Sequence, residues 1–338
     1  MTRGGLPIFG VKRREFMKVL GGGAAWPLTA HAQPREKMRR IGVLITLTAR
    51  DSEARAWVTA FQEALQKLGW EQDRNVRIDY RWSAGDPDRI WAFAAELVEL
   101  APDVILCSGA QTTTVLQRVT HEVPVVFVQV ADPVGSDLGW TLARRAANIT
   151  GFTHFEYSMI EKWLKVLKET APDISRVLAI HNPDNLARPG WLRAASPVAA
   201  SIGVTLAPGE VRDRKDIKRT ISAHAQGPNG GMIVLPDTIT SLNRKLIIAL
   251  AGHYRIPAIY PFRFFVTEGG LISYGSDPLD LWRRSASYVD RIIRGERADD
   301  LPVQAPTKFE LVINLKTAKA LDLPVSPTLL ARADAVIE

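Results

Sequence analysis

Residues 104–114 read Val104-Ile105-Leu106-Cys107-Ser108-Gly109-Ala110-Gln111-Thr112-Thr113-Thr114. The first four are apolar without a break, the pattern of a parallel strand buried on both faces. Small residues and hydroxyls follow and open a helix. The same sequence of events recurs on either side. Upstream, Ile41-Gly42-Val43-Leu44-Ile45 is another continuous apolar run. A helix follows it, capped by Asp51 or Ser52, with Trp57, Phe61, Ala64, Leu65 and Leu68 at helical spacing and Gly69 at its end. Residues 76–82 alternate as a strand, and Asp86-Pro87 pairs a cap with proline in the first helical turn. Downstream, residues 125–130 read as the fourth strand.

The rhythm resumes beyond Thr153. A helix is expected over 158–170, with Ile160, Trp163, Leu164 and Leu167 inward. Strands are expected at 176–180, 204–207, 232–235 and 258–260, with helices between them. Alternating strands and helices with near-continuous apolar strands mean parallel sheets covered on both faces. Two such series predict an α/β protein of two Rossmann-like, doubly wound lobes. At roughly 150 residues per domain, 338 residues accommodate both. Candidate crossings between lobes are 148–155, 269–275 and the proline-rich 301–306. Glycine and β-branched residues there suit a hinge whose dihedrals change. The expected first lobe is 38–151 plus about 276–303. The expected second is 152–275 plus about 304–338.

Apolar residues make up 46% of the chain and charged residues 23%, which excludes a disordered tail protein. A single cysteine, Cys107, excludes an intramolecular disulfide and a multi-cysteine metal site. Lying in an apolar run, it reads as a buried small hydrophobe. The net charge of +7 raises nucleic acid or an acidic membrane as partners. Its distribution argues otherwise. Residues 12–18 read Lys-Arg-Arg-Glu-Phe-Met-Lys, a short glycine-containing apolar run follows, and Ala30-His31-Ala32 completes a small-x-small cleavage pattern. That order is a signal peptide, and Arg13-Arg14 with Phe16 and Lys18 matches the twin-arginine export motif. An ordinary secretory signal is the alternative. Cleavage after Ala32 removes five basic residues and one acid, leaving +3 over 306 residues. The first residue after the cleavage site is Gln33 and not a cysteine, so no lipid anchor is expected. The expected location is the periplasm, without a nucleic-acid partner.

Catalytic signatures are missing. No Gly-x-Gly-x-x-Gly follows the first strand, and there is no Walker loop, no Gly-x-Ser-x-Gly elbow and no His-Glu-x-x-His. No cofactor, metal or catalytic residue is expected. Weight shifts toward binding.

In open α/β sheets, ligands sit beyond the carboxyl ends of strands. That rule selects Ser108, Gly109, Gln111 and Thr112, where helix-start N–H groups favour a carboxylate, unless these residues only cap the helix. Ala131 and Asp132 follow the fourth strand. Asp132 can accept from a ligand ammonium or cap a turn. Asn182 and Asp237 have matching positions in the second series, with the same two readings for Asp237. Phe262, in the aromatic run 260–265, can stack on a ligand ring or pack between lobes. Phe155 and Tyr274, in the first two crossings, complete the candidate ligand-binding set.

Ordered along the chain, several segments resemble one family. They are Arg40-Ile41-Gly42-Val43-Leu44, Pro102-Asp103-Val104-Ile105-Leu106, Ala131-Asp132-Pro133-Val134-Gly135, Asn148-Ile149-Thr150-Gly151-Phe152 and Gly270-Leu271-Ile272-Ser273-Tyr274-Gly275. Leu301-Pro302-Val303-Gln304-Ala305-Pro306 through Asn314 closes the set. The chain resembles the solute-binding components of ABC uptake systems, in particular the tryptophan/tyrosine transport branch. Here His181-Asn182-Pro183 and Pro236-Asp237-Thr238 stand where that branch tends to have Tyr-Asn-Pro and Pro-Thr-Asp-Asn. The resemblance implies a type I periplasmic-binding fold with a three-crossing hinge. It implies closure around a small solute, an amino acid or other small carboxylate, and delivery to an ABC permease in the inner membrane. A monomer suits such closure. A ligand-sensing receptor module and an exported α/β enzyme are the alternatives.

Overall fold

The computed structural model describes Met1 and residues 38–131, 148–185 and 187–338. The expected export segment and Asp132 lie outside the described residues. Five strands, β1 (Arg39–Ile45), β2 (Val76–Trp82), β3 (Val104–Ser108), β4 (Val125–Ala131) and β5 (Ile149–Phe155), form a parallel sheet ordered β2-β1-β3-β4-β5. Helices α1 (Ser52–Lys67), α2 (Pro87–Glu99) and α3 (Ala110–Val119) connect its first four strands. Asp51 caps α1 by accepting from the Glu53 and Ala54 amides, and Asp86 caps α2 the same way from Asp88 and Arg89. These two caps are the ones the sequence places there.

The second sheet has seven strands, β6 (Arg176–His181), β7 (Thr205–Glu210), β8 (Gly230–Val234), β9 (Ala258–Tyr260), β10 (Ile272–Ser276), β11 (Phe309–Asn314) and β12 (Ala335–Ile337). Their order is β12-β11-β10-β9-β8-β6-β7, and only the β10–β11 pair is antiparallel. Its helices are α4 (Met159–Thr170), α5 (Arg188–Ser201), α6 (Arg214–His224), the short α7 (Thr238–Leu242), α8 (Arg244–His253) and α9 (Arg263–Thr267). Then come α10 (Pro278–Ile293), α11 (Leu315–Ala320) and α12 (Pro327–Ala331).

Alternation along the strands divides the first lobe's core. Ile41, Val43, Leu106, Val126 and Val128 join Phe61 and Trp282, from α1 and α10, on one face. Leu44, Ile105, Cys107, Val125 and Phe127 meet Ile90, Leu97 and Leu116, from α2 and α3, on the other. Burial on both faces is what the continuous apolar runs required. Helix α10 therefore belongs with the first sheet although in sequence it lies between β10 and β11 of the second. The chain passes between sheets after Phe155, again at Asp277, and a third time between Gln304 and Phe309. Gln304 is tied to β5 before the last passage: its amide donates to the Gly151 carbonyl and its carbonyl accepts from the Thr153 amide, both at 2.9 Å.

Two stretches expected as hinge segments are regular strands. Ile149, Thr150 and Thr153 complete a ladder with β4. Residues 272–276 pair with β11, and Ile272 and Ser273 pair with β9 on the other side as well. Gly275 marks close packing there: a Cβ on it would lie 1.8 Å from the Pro261 carbonyl oxygen. Strands β11 and β12 were not anticipated at all. They are short or charged, and their partners are distant in sequence. No helix among the described residues is long and apolar enough to cross a membrane.

Candidate functional site

The carboxyl ends of β1, β3, β4 and β5 face the loops after β6, β8 and β9 across a cavity of about 270 Å³. The first lobe supplies Thr46, Leu47, Trp57, Gly109, Gln111, Gln129, Ala131 and His154. Trp91, 43% exposed on α2, also reaches it. The second lobe supplies Asn185, Asp237, Ser241 and Phe262, among others. Most of the wall is apolar, with a few polar groups set into it, the usual make-up of a small-molecule site.

Five of the candidate residues line this cavity: Gly109, Gln111, Ala131, Asp237 and Phe262. Gly109 precedes α3 with φ of +83°, a left-handed conformation that glycine adopts without strain. Five others stand outside the lining. Ser108 is fully buried, and its hydroxyl meets the Thr46 amide at 3.2 Å. The Thr112 hydroxyl donates back to the carbonyls of Ser108 and Gly109, at 2.7 and 3.0 Å. Both side chains build the turn under the cavity floor. Phe155 is core, tilted against Phe262 and edge-on to Trp163 and Trp191. Asn182 is buried and its Oδ1 accepts from the Asp184 amide. Tyr274 lies on the other side of β10's neighbourhood, against Phe309 and under the Lys162 ammonium. Cys107 is fully buried, and burial pushes its thiol up to about 12, so it is inert.

Asp237 carries the site's electrostatics. It caps α7, accepting from the Ile239 amide at 2.7 Å, and its other oxygen accepts from Asn185 Nδ2 at 2.7 Å. Burial raises its pKa to about 6, against the lowering effect of those neutral donors. Among the described residues no lysine or arginine lines the cavity, so an occupant's cationic group is the natural counter-charge. His154 is 6% exposed, packed on Phe155 and 5.7 Å from Phe262, and desolvation pushes its pKa down to about 3. It stays neutral, with Nδ1 buried and unpartnered. Trp57 Nε1 and Gln111 Oε1 are likewise buried without partners in the wall. Sequence reasoning missed Gln129, Trp57 and Asn185 as lining residues, and assigned no ligand role to His154. Trp57 sits on the apolar stripe of α1 and reads as core. Gln129 lies within a strand, exposed to the cavity only by an irregularity in the β4–β5 register.

The lobes also touch beside the cavity. Arg244, at the start of α8, donates to Asp51 at 2.6 Å and to Glu268 at 2.7 Å. Arg244 and Asp51 side chains are only 7% and 9% exposed. Trp57 of α1 meets Phe264 of α9 at 6.5 Å between ring centres.

The cavity lies between two α/β lobes and is of a size and make-up that encloses a small molecule. Residues 41–337 match the model of the ABC transporter substrate binding protein family, and the chain belongs to that family. A curated relative, the tyrosine-binding protein of Clostridioides difficile (strain R20291), is 22% identical over 263 residues, covering 78% of this chain and 75% of its own. A solved structure of a conserved domain protein from Vibrio cholerae is 25% identical and superposes with a TM-score of 0.82 over 89% of this chain and all of its own. A Streptococcus pneumonia ABC domain in complex with L-Trp, 20% identical, has a TM-score of 0.80 with the same coverage. The fold expected from the sequence, two α/β lobes of the type I periplasmic-binding class, is the fold found.

Proposed function

We propose that this protein captures an amino acid with an apolar or aromatic side chain and passes it to an ABC permease in the inner membrane. The observation that carries the reading is Asp237. A desolvated carboxylate, held by two neutral donors in a cavity that Asp184 also lines and that no lysine or arginine among the described residues lines, suits an α-ammonium group. The N-terminus of α3, with Gly109 bringing the backbone close, suits the α-carboxylate. Trp57, Phe262 and Leu47 surround the remaining volume and suit the side chain. A ligand touching both lobes favours the closed state by its differential affinity. The relatives' ligands agree with this chemistry. The export signal read in the sequence supports a periplasmic location for the receptor. We assign the first lobe to 38–155 with 278–304, and the second to 156–277 with 305–338.

A thermal-shift screen of the twenty amino acids and their decarboxylated and deaminated analogues tests this. An increase in melting temperature with apolar or aromatic amino acids, and little with analogues lacking the ammonium, is expected. Stabilisation by deaminated acids alone, or by none of the set, overturns the reading. Co-purification with the cognate permease in membranes tests the transport role.

A further inference from the structure

Gln129 occupies an unusual place. It lies inside β4, yet its φ is +60°, a left-handed value that a non-glycine residue rarely adopts within a strand. The register with β5 slips on either side of it, between Val128 and Val130 and again before Ala131. The bulge turns the side chain of Gln129 into the cavity wall, where it is 9% exposed. Bulges that re-aim a side chain cluster beside functional sites.

Its carboxamide has one fixed orientation. Trp282 Nε1, on the fully buried indole of α10, donates to Gln129 Oε1 at 3.3 Å. An indole N–H is a donor only, so the amide oxygen must face it. The amide nitrogen is thereby turned away from the indole. No acceptor among the described residues takes its two N–H bonds. Trp282 is itself stacked on Trp57, with ring centres 6.1 Å apart, and is edge-on to Phe61. The orienting group cannot swing away.

Gln129 also stands beside the α3 N-terminus. The Gly109 amide donates to the carbonyl of Val128, the preceding residue, at 2.9 Å. Gln129 and the helix start, 109–111, therefore line neighbouring parts of one cavity wall. Gln111, on the first turn of α3, lines the same cavity and carries a buried Oε1 without a partner.

We infer that Gln129, locked by Trp282, is a specificity-determining donor for the α-carboxylate of the ligand. The inference rests on the amino-acid reading above and names the residue that discriminates amino acids from amines at that site. A preorganised neutral donor costs no charge desolvation and favours an anionic acceptor over an amine's bare methylene.

The test pairs a residue with a ligand group. Binding of L-tryptophan, L-tyrosine, tryptamine and tyramine is measured by titration calorimetry on the mature protein, for wild type, Gln129→Leu, Gln129→Glu and Trp282→Phe. Gln129→Leu should weaken the amino acids roughly 10- to 100-fold and leave the amines nearly unchanged. Gln129→Glu should weaken the amino acids further, by repulsion, and strengthen the amines. Trp282→Phe, which frees the amide to rotate, should fall between wild type and Gln129→Leu for the amino acids. Equal losses for amino acids and amines in Gln129→Leu, or no loss at all, overturn the inference while leaving the amino-acid reading intact. Failure of wild type to bind these two or any other apolar or aromatic amino acid overturns both. Melting temperatures of the variants separate misfolding from lost recognition, and Gln129→Glu, closest in size, supplies the decisive comparison if Gln129→Leu is unstable.

Discussion

At the scale of single residues, Asp237 links binding to pH. Its folded pKa is raised to about 6, mainly by burial. Without ligand, the folded state binds a proton more readily than the unfolded chain does. Stability from this group therefore falls as pH rises through about 4 to 6. A bound ammonium reverses the preference, because it favours the carboxylate. Amino-acid affinity should be flat above about pH 7 and fall by about tenfold per unit below pH 6. His154, depressed to about 3, contributes nothing over that range. Calorimetric titrations between pH 4.5 and 8 check this, and Asp237→Asn should bind weakly with no pH dependence. A wild-type profile that stays flat through pH 5 removes Asp237 from the ammonium site. Asp237 was legible in the sequence because it follows an apolar strand and precedes a helix. Gln129 was not, because no local signal marks a strand residue as bulged. The Trp57 wall was hidden for a related reason: its spacing on α1 is that of a core residue, and it serves both purposes.

At the scale of elements, two of the three expected crossings, 148–155 and 269–275, contain strands that end at the interlobe boundary. Their glycines answer to packing more than to bending. At Gly275, any Cβ meets the Pro261 backbone and the Phe155 ring. Backbone cannot yield as a flexible side chain can. Gly275→Ala should cost about 1–3 kcal/mol and lower the melting temperature by several degrees. It should also weaken ligand binding, because Pro261 precedes the cavity residue Phe262. Thermal denaturation with and without L-tryptophan checks both. An unchanged melting temperature means the β9–β10 edge opens freely. Elements with two buried faces, such as β1, β3 and β4, were readable as apolar runs with caps at Asp51 and Asp86. Those whose identity depends on a distant partner were not. β5 reads as a hinge until β4 is laid beside it, and β11, with Glu310 in it, becomes a strand through antiparallel pairing with β10 and parallel pairing with β12.

At the scale of the whole molecule, the two lobes are held together by charge as well as by any ligand. Arg244 bridges Asp51, at the start of α1 in the first lobe, to Glu268 in its own lobe. Burial raises the pKa of neighbouring Glu53, the pull of Arg244 opposing it, so the site is crowded with acid around one cation. Breaking one partner of a buried pair leaves an uncompensated charge, and opening the cleft relieves that by admitting water. Asp51 also caps α1, which complicates removal of its side chain. Asn keeps the cap and loses the charge, so Asp51→Asn isolates the interlobe contribution. The unliganded Asp51→Asn protein should show a larger radius of gyration by small-angle X-ray scattering than wild type, and closure should return on ligand addition. Ligand affinity should fall by up to about tenfold, the fraction by which the closed state is depopulated. Glu268→Gln breaks the contact inside one lobe, so it should lower the melting temperature without changing the radius of gyration. If both variants expand equally, Arg244 organises its own lobe and closure rests on the ligand alone. If only Asp51→Asn expands, the ion pair sets how far the empty receptor stands open.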